Sequence, residues 1–299
     1  MAAPHPAGED RRLTTGRRRE AGPEDAGGEV RGSLPVAWDD PDVTSTSGRA
    51  RLPLRVANPS PVQPAYRRLV RVGGWLLRHL TDQDWGPADS LPKTGGVLVV
   101  ANHISNFDPP VLAHFLVWNG RWPRALGKSE IWRVPVLGRL ARACGQIPVE
   151  RNTERARDSL VHAREAIEAG ECVLIYPEGT RTADPDLWPM TARPGAALLA
   201  LETGCPVVPL GQWGAQDVMP GRKLTWPRLF PRKTMVFRLG DPVDLSDLVG
   251  RTDTAAVHEA TTRIMDAITT LVAGIRGLEP PAGRFDVRVG RRVPPPPAR

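Results

Sequence analysis

The sequence predicts an α/β fold, a largely parallel or mixed sheet covered by helices, with an amphipathic helix on its N-terminal side. Two observations lead there. Short apolar runs of strand length, such as Val97-Leu98-Val99-Val100-Ala101 and Cys172-Val173-Leu174-Ile175, alternate with longer segments of helical spacing. Both ends of the chain, by contrast, are rich in Pro, Gly and Arg and lack apolar periodicity. Strands that alternate with helices pair in parallel, because each crossover carries its helix onto a face of the sheet.

Taken in order, residues 1–62 form an Arg-, Pro- and Gly-rich segment expected to be disordered, since it cannot bury enough apolar surface to offset the entropy of ordering. It lacks the long apolar stretch of a secretory signal. The core domain is expected over residues 63–278, a size sufficient for one α/β unit. It opens with a helix over 66–80, where Leu69, Val72, Leu76 and Leu80 recur at helical spacing and Val70 and Leu77 lie beside them. Arg67, Arg71 and Arg78 take another side, and Trp75 borders the stripe. Such a helix either lies in a membrane interface or packs its stripe on the domain, and Gly73-Gly74 weakens it. Strands are expected over 96–102, 124–128, 146–150, 172–176, 206–211 and 234–239. Helices are expected over 109–118, 129–143, 153–169, 194–203 and 253–275. A loop over 219–233 mixes Met219, Trp226, Leu229 and Phe230 with Arg222, Lys223, Arg228, Arg232 and Lys233. It either dips into lipid headgroups or crosses the sheet edge as an ordinary loop. Residues 279–299, ending in a proline run, are expected to be disordered.

Composition narrows the function classes. A net charge of +7 and a pI of about 10.0 favour anionic partners: anionic lipid, phosphorylated substrates or nucleic acid. Nucleic acid is disfavoured, because no stacking aromatics or binding motif accompany the charge. No G-x-G-x-x-G, Walker lysine or G-x-S-x-G motif occurs, which argues against nucleotide binding and hydrolase-type serine chemistry. Cys144, Cys172 and Cys205 are widely spaced, with no metal-ligand pattern, so no metal is expected and a reducing cytoplasmic setting fits. No stretch approaches the ~20 apolar residues of a membrane span.

Chemistry concentrates where strands are expected to end. His103 follows the run 97–101, and Asp108 lies five positions on. Imidazole can take a hydroxyl proton near neutral pH, and a carboxylate on its other nitrogen fixes the tautomer and stabilises the imidazolium. Asp108 precedes Pro109-Pro110, so it equally reads as a helix N-cap. After 172–175 comes Tyr176-Pro177-Glu178-Gly179-Thr180-Arg181. Arg181 offers a planar fork suited to phosphate, Gly179 permits close backbone approach, and Glu178 either holds Arg181 or orients the loop. Lys128 and Arg151 close two further strand-like runs. In a parallel sheet His103, Lys128, Arg151 and Arg181 all emerge at one carboxyl edge, where open α/β sheets bind ligands. The set points to transfer onto a hydroxyl substrate that carries an anion. Further on, Gln212 to Gln216 either line a pocket or pack.

At these residues the sequence resembles the glycerolipid acyltransferases, specifically the 1-acylglycerol-3-phosphate acyltransferases, over roughly residues 66–245. Four blocks match in order: Asn102-His103 through Asp108; Gly127-Lys128 to Gly138, closing with Gly145 to Arg151; Tyr176 to Arg181; and Cys205-Pro206-Val207-Val208-Pro209-Leu210. The resemblance implies acyl transfer from an acyl-CoA or acyl carrier protein thioester to the 2-hydroxyl of lysophosphatidic acid, giving phosphatidic acid. It implies His103 as base with Asp108 as partner. Phosphate binding would fall to Lys128 and Arg181, with Glu178, Gly179 and Thr180 shaping the site and Arg151 assisting. No cofactor or metal is implied, only the thioester as co-substrate. Partners would be lysophosphatidic acid, the acyl donor and an anionic membrane surface, with the protein peripheral on the cytoplasmic face. Alternatives are the same chemistry on glycerol 3-phosphate, another lysophospholipid or a glycolipid, or a non-catalytic lipid-binding module.

Overall fold

The computed structural model describes residues 46–149, 156–221 and 225–294. Arg151, Arg222, Lys223 and residues 1–45 therefore lie outside the described residues. After a 3-10 turn at Thr46–Arg51 come α1 (Leu54–Ala57), α2 (Pro64–Leu80), β1 (Thr81–Trp85), β2 (Val97–Ala101), α3 (Asp108–Trp118) and β3 (Pro123–Lys128). A second 3-10 turn, Ser129–Arg133, leads to α4 (Pro135–Ala143), β4 (Ile147–Val149), α5 (Ala156–Glu168), β5 (Cys172–Ile175), α6 (Gly195–Thr203) and β6 (Val207–Trp213). The chain continues through α7 (Ala215–Val218), β7 (Lys233–Leu239), α8 (Thr254–Arg276) and a hairpin of β8 (Arg284–Asp286) and β9 (Arg291–Val293).

The first seven strands form one sheet in the order β1-β7-β6-β2-β5-β3-β4. The run from β6 to β4 is parallel; β7 reverses against β6, and β1 pairs in parallel with β7. The sheet is thus mixed but largely parallel, as expected. Alternate residues of β2 feed opposite faces. Val97, Val99 and Ala101 pack with Leu112, Phe115 and Phe237 on one side, and Leu98 and Val100 pack with Ala163, Leu199 and Ile268 on the other. Burial on both faces is why β2 and β5 read as unbroken apolar runs.

The six anticipated strands all form near their expected places, but β1 was not anticipated. Its Thr-Asp-Gln-Asp-Trp sequence is polar because it is an edge strand. Asp82 and Asp84 are held by Arg232 and Arg238 of the neighbouring segment at 2.8 and 2.9 Å. The single helix expected over 129–143 is interrupted, because Pro135 holds Val134 extended, at φ −78° and ψ 119°.

The expected limits of the domain also need correction. Residues 46–62 are not a loose extension: Ala50, Leu54 and Ala57 join the core, and Trp118 Nε1 donates to Leu52 O. The tail is not a loose extension either. Over 284–293 it forms a hairpin tied to the domain through Arg284–Asp266, Arg292–Asp184 and a bond from Thr191 N–H to Phe285 O.

Helix α2 runs unbroken through Gly73-Gly74. Gly74 faces α3, where a Cβ would sit 2.5 Å from the Trp118 ring, so the glycine exists for close packing. The packed face is Tyr66, Val70, Gly74 and Leu77, while Leu69, Val72, Trp75 and Leu76 face outward. Plain packing of the 69/72/76 stripe is thereby overturned.

Candidate active site

The site begins at the carboxyl end of β2, the central strand. Asn102 is fully buried and locked to β6: its Nδ2 donates to Gln212 O at 3.1 Å, its Oδ1 accepts Gln212 N–H at 2.9 Å, and Gln212 Nε2 donates to Asn102 O at 2.7 Å. Gln212, for which pocket lining and packing were both open, is thus a packing residue. This clamp fixes the chain one residue before His103.

His103 Nδ1 lies 2.7 Å from Asp108 Oδ2. The same oxygen accepts the N–H groups of Ile104 at 2.7 Å and Ser105 at 2.9 Å. Asp108 does not cap its own helix, and the reason is local. Pro109 and Pro110 carry no N–H, so the carboxylate turns back to the preceding amides and the imidazole. The rest of α3 anchors it, with Val111, Leu112, Phe115 and Leu116 buried in the core. A wholly buried carboxylate with three donors is an effective acceptor, so His103 carries its proton on Nδ1 and leaves Nε2 for chemistry. The imidazole remains accessible, with 14% of its side-chain surface exposed.

Two neighbours complete this turn. The Tyr176 ring stacks on the imidazole, centroids 4.2 Å apart at 20°. Burial pushes the Tyr176 phenol well up, and the Asp108 charge adds to this, so the ring stays neutral. Ser105 is structural: its hydroxyl donates to Met219 O and accepts the Phe107 N–H.

The loop after β5 is pinned to the first turn. Glu178 is buried; its Oε1 accepts the His103 N–H at 2.8 Å and its Oε2 the Met190 N–H at 3.1 Å. Burial pushes its carboxyl up to about 8; the two N–H donors pull downward, and the nearby Asp108 and Asp184 charges push up. Of the two roles expected for Glu178, loop orientation is the one its bonds serve. Thr182 N–H donates to His103 O at 2.7 Å, and Arg193 N–H donates to Pro177 O, closing the neck of the loop. Gly179 sits at φ +70°, and a Cβ there would meet Arg193 Cδ at 2.7 Å, so its freedom admits the Arg193 side chain. Thr180 and Arg181 are half-buried at the turn.

Lys128 ends β3 at the same carboxyl edge, with β5 between it and His103, and its Nζ pairs with Glu130 Oε1 at 2.9 Å. Two strand spacings separate its backbone from that of His103 by roughly 10 Å across the sheet. His103, Asp108, Glu178 and the 179–181 turn are thus brought together, and Lys128 flanks them. Tyr176 and Thr182 are contributors that the sequence left without an assigned role; the aromatic before Pro177 was the available signal for Tyr176.

A cavity of about 530 Å³ lies instead at the opposite, amino edge of the sheet, lined in part by Tyr66, Lys93, Arg121 and Arg124. Its cations are engaged. Arg121 donates to Pro92 O, Gly95 O and Gly170 O, and Arg124 pairs with Glu171.

Residues 87–213 match the family model described as Acyltransferase. Over 134 residues the chain is 33% identical to a chloroplastic 1-acyl-sn-glycerol-3-phosphate acyltransferase of Brassica napus, covering 44% of this chain and 37% of that protein. It is 30% identical over 164 residues to a lyso-ornithine lipid O-acyltransferase of Pseudomonas aeruginosa, covering 53% of this chain and 58% of that one. The matched stretch thus spans about a third to three-fifths of these relatives' lengths. The solved 1-acyl-sn-glycerophosphate acyltransferase of Thermotoga maritima shares the fold, with a TM-score of 0.57 at 20% identity over 72% of this chain and 81% of that one. The matched stretch includes both strand-end turns, from the His103–Asp108 pair through the loop to Arg193, so the similarity to acyltransferases lies in the part of the chain that builds this site.

Proposed function

We propose that the protein transfers a fatty acyl group from an acyl-CoA or acyl carrier protein thioester to the 2-hydroxyl of 1-acylglycerol 3-phosphate, giving phosphatidic acid. The observation that carries this reading is the 2.7 Å contact between His103 Nδ1 and Asp108 Oδ2. In the reaction, Nε2 takes the hydroxyl proton as the substrate oxygen attacks the thioester carbonyl. The tetrahedral intermediate collapses by breaking the C–S bond. The departing sulfur takes the proton from imidazolium, and Asp108 and the Tyr176 ring stabilise that cation in between. The thioester is already activated, so positioning and electrostatics suffice. Arg181 and Lys128 hold the acceptor's phosphate, with Arg151 assisting, and Glu178, Gly179 and Thr180 set the loop. No cofactor enters this scheme beyond the thioester.

The same proposal places the protein on an anionic membrane surface, at its cytoplasmic face. Among the described residues, no helix is long and apolar enough to cross a membrane. Apolar side chains nevertheless face outward on α2, with Trp75 53% exposed, and on α4, with Val136 68% exposed. Trp226, 93% exposed, and Phe230 add to them. Arg68 and Arg71 accompany the α2 face and Arg139 and Arg142 the α4 face, as interfacial binding requires. The cytoplasmic side rests on the three free cysteines.

The acyltransferase named for lyso-ornithine lipid keeps a second acceptor class in view. The deciding experiment supplies acyl-CoA or acyl carrier protein thioester with a panel of acceptors and detects products by mass spectrometry. Phosphatidic acid from lysophosphatidic acid is the expected product. Product from another acceptor alone would keep the mechanism and replace the substrate. Lipid binding without any product would favour the non-catalytic module.

A further inference from the structure

The loop that carries Arg181 is held at its far end by a residue close to the C-terminus. Arg292 of β9 grips Asp184 in a bidentate pair, Nε to Oδ2 and Nη2 to Oδ1, both at 2.7 Å, and reaches Asp186 Oδ2 at 2.6 Å. Asp184 is buried. Its Oδ1 also accepts the Asp186 N–H at 2.9 Å and lies 3.4 Å from the Trp188 N, while its own N–H donates to Thr182 Oγ1 at 3.1 Å. Thr182 Oγ1 donates in turn to Trp188 O at 2.7 Å, and Thr182 N–H donates to His103 O. A continuous chain of bonds therefore runs from Arg292 through Asp184 and Thr182 to the main chain of the base, passing the residue after Arg181.

The far side of the loop is gripped as well. The Arg276 guanidinium lies between the Trp188 and Trp213 rings, 4.2 and 4.4 Å from their centroids, and donates to Asp186 O. Between these two clamps Leu187 takes a left-handed conformation, φ +62°, which a branched side chain holds only when its surroundings over-determine it.

We propose that Arg292 is a positioning residue for the acceptor: through Asp184 it fixes the loop that presents Arg181, and so sets the affinity for the substrate's anionic group. This rests on the function proposed above and adds the C-terminal hairpin to it. Arg292 need not touch substrate. Its fork satisfies both oxygens of a buried carboxylate, and without it Asp184 would be left charged and under-satisfied, so the turn would rearrange.

The test compares the full chain with Arg292→Ala and Arg292→Lys. Expected in Arg292→Ala is a rise of about tenfold in KM for the phosphorylated acceptor, with kcat and the acyl-donor KM within about twofold. Lysine keeps the charge but not the fork, so it restores part of the loss. Hydrogen exchange in Arg292→Ala should accelerate over residues 182–190 and stay unchanged in β2 and α3. An unchanged acceptor KM, or equal losses for donor and acceptor, would overturn the proposal. If alanine unfolds the chain, the lysine variant carries the same comparison. If the wild-type chain fails to use lysophosphatidic acid, the proposed function falls, whereas the exchange pattern still decides whether Arg292 holds the loop.

Discussion

The turn after β2 and the loop after β5 both build the site, yet they are held in different ways. The first closes on itself. His103, Ile104 and Ser105 all converge on one oxygen of Asp108, and α3 buries that residue's anchor. The second closes its neck on itself, through Arg193 N–H to Pro177 O and Met190 N–H to Glu178, but its outer part is also held by distant residues: Thr191 by Phe285, Asp184 by Arg292, Asp186 by Arg276. Glu178 and Thr182 join the two through the main chain of His103, and the Tyr176 ring joins them by stacking on its imidazole. A base must hold its angle to within a fraction of an ångström, and short-range closure provides this. An arm with the phosphate-binding role proposed for this loop can tolerate, and be tuned by, support from afar.

That contrast separates kcat from KM. Asp108→Asn should have the largest effect. An amide cannot accept three donors or stabilise imidazolium as a carboxylate does, so kcat should fall by roughly 10²–10⁴-fold. Steady-state kinetics at saturating acceptor checks this, and a change confined to KM would break the division of labour. Tyr176→Leu keeps the bulk and removes the stacked ring. A lost cation–π contact of about 0.5–2 kcal/mol predicts a fall in kcat of about two- to thirtyfold, with acceptor KM unchanged.

The bridge between the regions has a pH signature. Folded Glu178 keeps its proton to about pH 8, whereas its ordinary value is 4.5. Across that window the unfolded chain has released a proton that the folded chain retains, so this group's contribution to stability falls as pH rises. Glu178→Gln should flatten the fall and cost about 1–3 kcal/mol at acid pH, because one main-chain N–H loses its acceptor. Urea midpoints at mildly acidic and mildly basic pH measure both effects; an equal slope in the variant would remove Glu178 as the titrating bridge. The smallest effect is expected from Thr182→Val, which keeps the main-chain bond to His103 but loses the hydroxyl's two bonds. Acceptor KM should rise only a few-fold and stability should drop by about 1–2 kcal/mol, read by activity and thermal melting.

The same distinction explains how much could be read from the chain. The apolar runs of β2 and β5 and the helical spacing of α3, α6 and α8 are local patterns, and they place His103, Asp108 and Arg181 at one edge of the sheet. What escaped depends on partners far along the chain. Strand β1 is polar because Arg232 and Arg238 answer its aspartates. The C-terminal hairpin reads as a charged tail until Arg292 is seen against Asp184, 108 positions away. Periodicity showed α2 to be amphipathic, but both its faces carry apolar residues. Only the contact of Gly74 with Trp118 shows which face packs and leaves Val72 and Trp75 outside.

In the proposed reaction His103 is the base that makes the acceptor hydroxyl a nucleophile. The most direct measurement is single-turnover formation of phosphatidic acid from lysophosphatidic acid and an acyl thioester, followed by mass spectrometry for the wild-type chain and for His103→Ala. Circular-dichroism melting run alongside shows that both are folded. The expected result is a loss of at least about 10²-fold in the variant at an unchanged melting midpoint. Near-wild-type turnover in folded His103→Ala would contradict it and move the base elsewhere.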